Sequence, residues 1–86
     1  MKNVRASVAM AVYNAEKYID EQIQSILPML GENDEIIISY DDSTDSTWEI
    51  IKKYEKNSSQ IHCYKNKEKH GVSGNFTNAA RHCNGK

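Results

Sequence analysis

Apolar residues along the chain switch repeatedly between two spacings, and each switch marks a new element. Val4 to Val12 (VRASVAMAV) is rich in Val and Ala, stops short of the turn-former Asn14 and has the length of a buried strand. From Ala15 the spacing becomes helical: Ile19, Ile23, Ile26, Leu27 and Leu30 share one face, with Asn14 placed to cap the start and Gly31 placed to end it. Pro28 should kink or shorten the last turn, because its ring removes a backbone donor. Glu35 to Tyr40 (EIIISY) is a β-branched run bounded by polar clusters, as in a strand covered on both faces. Ser46 and Glu49 have capping-box spacing, and Trp48, Ile51 and Tyr54 then follow at helical intervals to about Asn57. Ile61 to Tyr64 reads as a short third strand. Phe76, Ala79, Ala80 and Cys83 fall at i, i+3, i+4 and i+7, which predicts a third helix stopped by Gly85.

The order strand, helix, strand, helix, strand, helix with short connections implies right-handed crossovers and a parallel sheet, the first half of a doubly wound α/β fold. Ligands in such sheets bind beyond the carboxyl ends of the strands, and both Tyr13-Asn14 and Asp41-Asp42 fall there. The two best polar clusters therefore share one rim.

Length and charge narrow the picture. A chain of 86 residues with a formal charge of −1 and ordinary apolar content reads as one globular unit, 1–86, with a thin core. No apolar run approaches the roughly 18 to 20 residues of a membrane span, and the start resembles neither a signal peptide nor an anchor. Cys63 and Cys83 are too few for a disulfide framework and read as reduced, partly buried thiols, which suits a cytoplasmic protein. Residues 1 to 45 hold nine acids against three bases, and the remainder holds three against eight. Lys65, Lys67 and Lys69 are either a solvated loop or a patch that steers an anion or anionic membrane lipids. Nucleic acid is not an expected partner.

A carboxylate just past a buried strand can accept a hydrogen bond from a base or a ribose, and a flat aromatic nearby can stack on the base. Asp41 with Tyr13 would form such a site. The alternative is that Asp42, Ser43 and Asp45 cap the second helix, with Asp41 the furthest from that cap. Calcium-loop spacing is absent, since Ser46 and Lys52 stand where it needs Gly and Glu. His62-Cys63 and His82-Cys83 resemble paired zinc ligands, but neighbours on a strand or helix diverge, so packing is the simpler reading. Gly71 and Gly74 form neither the three-glycine dinucleotide fingerprint nor a phosphate loop.

Three segments carry a family resemblance that spacing alone does not supply. Ser7 to Ile19 (SVAMAVYNAEKYI) is similar to the first strand and turn of family 2 glycosyltransferases of the GT-A fold, an apolar run followed by Thr-Tyr-Asn. Glu35 to Thr47 (EIIISYDDSTDST) resembles their second strand and Asp-Asp-Gly-Ser-Thr-Asp turn, and Gly71 to Phe76 (GVSGNF) resembles the Gly-Val-x-x-Asn-Phe segment of one branch. Departures are Val12 for the usual Thr, Tyr40 for the first Asp of the turn and Asp42 for its Gly. Asp42 is expected to take the left-handed conformation that the Gly would supply.

The resemblance implies a Rossmann-like GT-A half-domain that is the N-terminal nucleotide-sugar-binding part of an enzyme. That enzyme would be an inverting glycosyltransferase moving a sugar from a nucleotide-diphosphate donor, UDP- or dTDP-linked, to a glycan or lipid-linked acceptor. Cell-surface polysaccharide or lipopolysaccharide biosynthesis is the implied setting, at the cytoplasmic face of the membrane. Matching positions assign nucleotide-sugar binding to Ala11, Val12, Tyr13, Asn14, Glu16, Asp41, Asp42 and Asn75. The family's Asp-x-Asp motif, which holds Mg2+ or Mn2+, and its catalytic base fall beyond Lys86, so residues 1–86 alone are expected to be inactive. Competing readings are a non-catalytic nucleotide-binding module and a self-associating one, in which an open strand edge makes a homodimer.

Overall fold

The structure, a computed structural model, describes residues 6–83. Three parallel strands, β1 (Ser7–Val12), β2 (Glu35–Tyr40) and β3 (Ile61–Lys65), lie in the order β1-β2-β3. The connecting helices are α1 (Ile19–Ile26), continued by a short 3-10 turn at Leu27–Met29, and α2 (Thr47–Asn57), with α3 (Val72–Arg81) after β3. This is the predicted α/β order.

Alternation along the strands explains the layers. Met10 and Val12, Ile36, Ile38 and Tyr40, and Ile61 and Cys63 point to one face, where they form a buried cluster with Ala15, Ile19 and Ile23 ahead of and along α1 and with Ile51 of α2. Ile37 and Ser39 point the other way, toward α3, which packs on β1 and β2. Every residue of β2 is buried, as its unbroken β-branched run predicts for a central parallel strand. Register pairs Val8 with Ile36 and Ile38 with Cys63.

Helix boundaries show where local signals lose to tertiary ones. The α1 helix starts at Ile19 rather than Ala15, and Asn14 does not cap it; Asn14 takes a left-handed φ of 47° and spends its side chain on the 43–44 loop. Pro28 ends the α-helix as predicted, shifting the chain into the 3-10 turn after Ile26. Ser46 stands at the N-cap of α2 but makes no side-chain cap, so the Ser46-Glu49 box does not form. Asp45 accepts from the Thr47 amide at 3.0 Å instead.

The inward face of α3 is Asn75, Asn78 and Ala79, whereas Phe76 is half exposed and Ala80 is exposed. Of the predicted apolar stripe Ala79 stays inward and Cys83 is partly buried, while Phe76 and Ala80 turn away from the sheet and Asn75 and Asn78 take the inward positions. Ser39 causes this rotation: its hydroxyl donates to Asn75 Oδ1 at 2.6 Å and accepts from Asn78 Nδ2 at 2.7 Å. A hydroxyl buried at the centre of β2 needs polar partners, and two asparagines three positions apart on a helix reach it. The predicted strand residues Val4 and Arg5 and the stop at Gly85 lie outside the described residues.

Both cysteines are free. Burial, and then the Glu55 carboxylate, push the Cys63 thiol up to about 12, and its Sγ lies 3.4 Å from the Ile51 carbonyl oxygen. The reactive thiolate is therefore scarce at neutral pH. Iodoacetamide at pH 8 should leave Cys63 unmodified in the native protein and modify both cysteines in urea. Peptide mapping that found Cys63 alkylated ahead of Cys83 in the native state would contradict its burial.

Candidate active site

The rim at the carboxyl ends of the strands is built from two interlocked loops and one helix start. Hydrogen bonding runs past the strands themselves: the Asp41 amide donates to the Val12 carbonyl at 3.0 Å and the Asn66 amide to the Tyr40 carbonyl at 2.7 Å. The backbones at Asp41 and Asn66 are thus held as extensions of the sheet.

The loop after β1 and the loop after β2 then bind each other. The Asn14 amide donates to Ser43 Oγ at 2.8 Å, and Asn14 Oδ1 accepts from the Thr44 amide at 2.9 Å. The Ala15 amide donates to Thr47 Oγ1 at 2.8 Å, the Glu16 amide to Asp45 Oδ2 at 3.2 Å and the Ser46 amide to Glu16 Oε1 at 2.9 Å. Hydrogen bonds from Thr47 and the Glu16 amide hold the Asp45 carboxyl below its ordinary range despite an opposing desolvation effect.

Beside this clasp lies a cavity of about 240 Å³ lined by Ala11, Tyr13, Asp41, His70, Gly71, Val72 and Asn75. Asp41 is almost fully buried and is held from three sides. Its Oδ2 accepts from the Gly71 amide at 2.9 Å and lies 2.9 Å from His70 Nδ1, while Oδ1 receives a long 3.4 Å contact from Asn66 Nδ2. Burial pushes the Asp41 carboxyl up, but the Gly71 amide, His70 and Asn66 together bring it below the ordinary value. It is a carboxylate at neutral pH, an acceptor of hydrogen bonds. Tyr13 is half exposed and meets the His70 ring edge to face at 5.9 Å between centroids.

Gly71 makes the turn possible. Its φ of 118° is a conformation that side chains rarely adopt, and it turns the amide toward Asp41 at the start of α3. Asn75 is 2% exposed and lines the cavity while its Nδ2 donates to the Val12 carbonyl at 3.0 Å.

Of the residues assigned from sequence, Ala11, Tyr13, Asp41 and Asn75 meet in this cavity, and Val12 contributes the carbonyl that anchors Asn75. The side chains of Asn14 and Glu16 are engaged in the clasp between the loops. Asp42 is exposed and does not line the cavity, and it has no left-handed φ: among the described residues Asn14 is the non-glycine with positive φ. Sequence reasoning missed His70, which precedes the recognised Gly-Val-x-x-Asn-Phe segment by one position.

Among the described residues no three His, Cys, Asp or Glu side chains gather in a way that could hold a metal ion. Asp41 and Asp45 are turned to different partners, so the acidic turn does not act as one ligand set. No helix of the described residues is long and apolar enough to cross a membrane.

Comparison with known proteins gives the family. Residues 7–86 match the family model described as glycosyl transferase family 2. The chain is 40% identical over 77 residues to an Escherichia coli protein, UDP-Glc:alpha-D-GlcNAc-diphosphoundecaprenol beta-1,3-glucosyltransferase WfaP, covering 90% of this chain and 28% of that one. It is 34% identical over 82 residues to the putative glycosyltransferase EpsE of Bacillus subtilis, covering 94% and 30%. Over 67 residues it is 37% identical to the putative teichuronic acid biosynthesis glycosyltransferase TuaG of the same organism, covering 78% and 27%. The chain therefore spans less than a third of the length of these relatives. With strands, acidic turn and α3 start all falling inside the match, the chain belongs to glycosyl transferase family 2.

Proposed function

We propose that residues 1–86 form the donor-binding front of a glycosyltransferase that takes its sugar from a uridine or thymidine diphosphate carrier. The observation that carries this reading is the meeting of Tyr13 and Asp41 in one cavity at the carboxyl ends of β1 and β2. Tyr13 offers an aromatic face to a flat base, and the Asp41 carboxylate accepts an N–H of the base or a hydroxyl of the ribose. Ala11 and Asn75 close the floor without adding charge. The named donor of the Escherichia coli relative is a UDP-sugar and its named acceptor is diphosphoundecaprenol-linked, which supports a lipid-linked acceptor here as well.

The transfer proposed is an inverting single displacement. An acceptor hydroxyl attacks the anomeric carbon, its proton passes to a general base, and the nucleoside diphosphate leaves with the bonding electrons. The described residues bind and orient the donor, and among them no ligand set gathers for the divalent cation that the resemblance implies. The topology supports a continuation. With α1 and α2 on one face and α3 on the other, a right-handed crossover from α3 leads to the open edge of β1, placing the cavity where the sheet changes direction. We place the full enzyme at the cytoplasmic face of the membrane, where a lipid-linked acceptor meets a soluble donor.

Calorimetric titration of the full gene product with uridine diphosphate and thymidine diphosphate should give saturable binding, at least ~10-fold weaker in Asp41→Asn, since a charged acceptor is lost. No binding of either nucleotide to the wild-type protein would defeat the proposal.

A further inference from the structure

Resting on the nucleotide-binding reading above, we propose that His70 is a positioning residue for Asp41, fixing which carboxylate oxygen is left for the donor. Asp41 offers about four lone-pair sites over its two oxygens. Oδ2 is occupied twice, by the Gly71 amide at 2.9 Å and by His70 Nδ1 at 2.9 Å. Oδ1 has the long 3.4 Å contact from Asn66, whose Nδ2 is shared with the Lys69 carbonyl at 3.3 Å. The acceptor capacity that remains therefore sits on Oδ1. A carboxylate gripped by one oxygen presents the other in a fixed direction, and a fixed acceptor loses less entropy when a base or ribose donates to it.

The same bond fixes the imidazole. Facing a carboxylate, Nδ1 carries the proton, and Nε2 becomes the free end of the ring. The ring stands edge to face with Tyr13 at an interplanar angle of 84°, so one side chain braces both the hydrogen-bonding and the stacking element of the cavity. Fold stability does not explain this placement, because the His70 side chain is 69% exposed and lies outside the buried core.

Two substitutions separate the Nδ1 bond from the ring. His70→Phe keeps an aromatic ring against Tyr13 and deletes the donor; His70→Asn deletes the ring and keeps an amide N–H near the position of Nδ1. Titrating the full gene product with uridine diphosphate should show affinity about 10-fold weaker for His70→Phe, equivalent to about 1.4 kcal/mol, and within about 3-fold of wild type for His70→Asn. Placed in Asp41→Asn, His70→Phe should weaken binding no further, because the residue acts through the carboxylate. Melting temperatures of both variants should stay within ~2 °C of wild type, as for an exposed side chain. Wild-type affinity in His70→Phe, equal losses in both variants, or an undiminished loss in the Asp41→Asn background would each overturn the role of His70 while leaving the nucleotide site standing. Absence of binding by the wild-type protein would remove the site and this inference together.

Discussion

Gly74→Ala should destabilise the protein by roughly 3 kcal/mol or more, lowering the melting temperature by ~12 °C or more for a chain of this size. A Cβ at Gly74 would stand 1.8 Å from the Lys69 carbonyl oxygen, 2.7 Å from its carbon and 3.0 Å from its nitrogen. All three atoms are backbone, so no side-chain rotation relieves the overlap. The 66–71 turn packs directly on the first turn of α3, and only a residue without Cβ allows that approach. Displacing the turn also moves Gly71 and His70, two of the three groups that hold Asp41. Loss of stability and loss of nucleotide binding should therefore appear together. Gly31→Ala is the control. Its Cβ would meet the Asp34 side chain at 3.2 Å, and a side chain can give way. Thermal unfolding that ranked Gly74→Ala with Gly31→Ala would show that the close packing of the turn on α3 is wrong.

The second large effect is expected at Asn75. Asn75→Leu preserves volume but strips the Ser39 hydroxyl of its acceptor and the Val12 carbonyl of one of two donors, the other being the Asp41 amide. A buried hydroxyl proton left without an acceptor costs about 1 to 3 kcal/mol, and the second lost bond adds about 1 kcal/mol. Folding free energy runs at about 0.05 to 0.15 kcal/mol per residue, so the loss is a large fraction of what a unit of this size holds. Adding Ser39→Ala should return part of the loss, because it removes the stranded hydroxyl, although Asn78 then gives up one of its two acceptors. Urea midpoints that were additive across the two substitutions would deny the coupling. Asn75→Leu should also weaken uridine diphosphate binding, since Asn75 lines the cavity with Asp41.

Sequence alone determined the element order, the parallel sheet and the rim that carries Tyr13 and Asp41, because these rest on signals that are local and strong. The β-branched run at Glu35–Tyr40 has one good solution, a strand buried on both faces, and a polar turn after it must lie at an edge of the sheet. The three segments resembling family 2 glycosyltransferases lie in the matched region, and that membership was legible from residues 7–19, 35–47 and 71–76.

Tertiary structure decided what each polar residue does. Asn14, Ser43, Asp45 and Ser46 have the composition of helix caps, and Asp45 does accept from the Thr47 amide, yet Asn14, Ser43, Asp45 and Ser46 each also bond across to a loop some 30 positions away, a pairing that no local window contains. The orientation of α3 followed the same logic. Its apolar spacing favoured Phe76, Ala79, Ala80 and Cys83 as the buried face; Ala79 is buried, but one buried hydroxyl on β2 required Asn75 and Asn78 inward and left Phe76 and Ala80 exposed, and an unpaired polar group in a core costs more than an exposed phenyl ring. His70 carries no sequence signal of its own. Its place at Asp41 comes from Gly71, whose unusual φ turns the backbone, and from the close approach of Lys69 to Gly74 that folds the turn over the carboxyl end of the sheet.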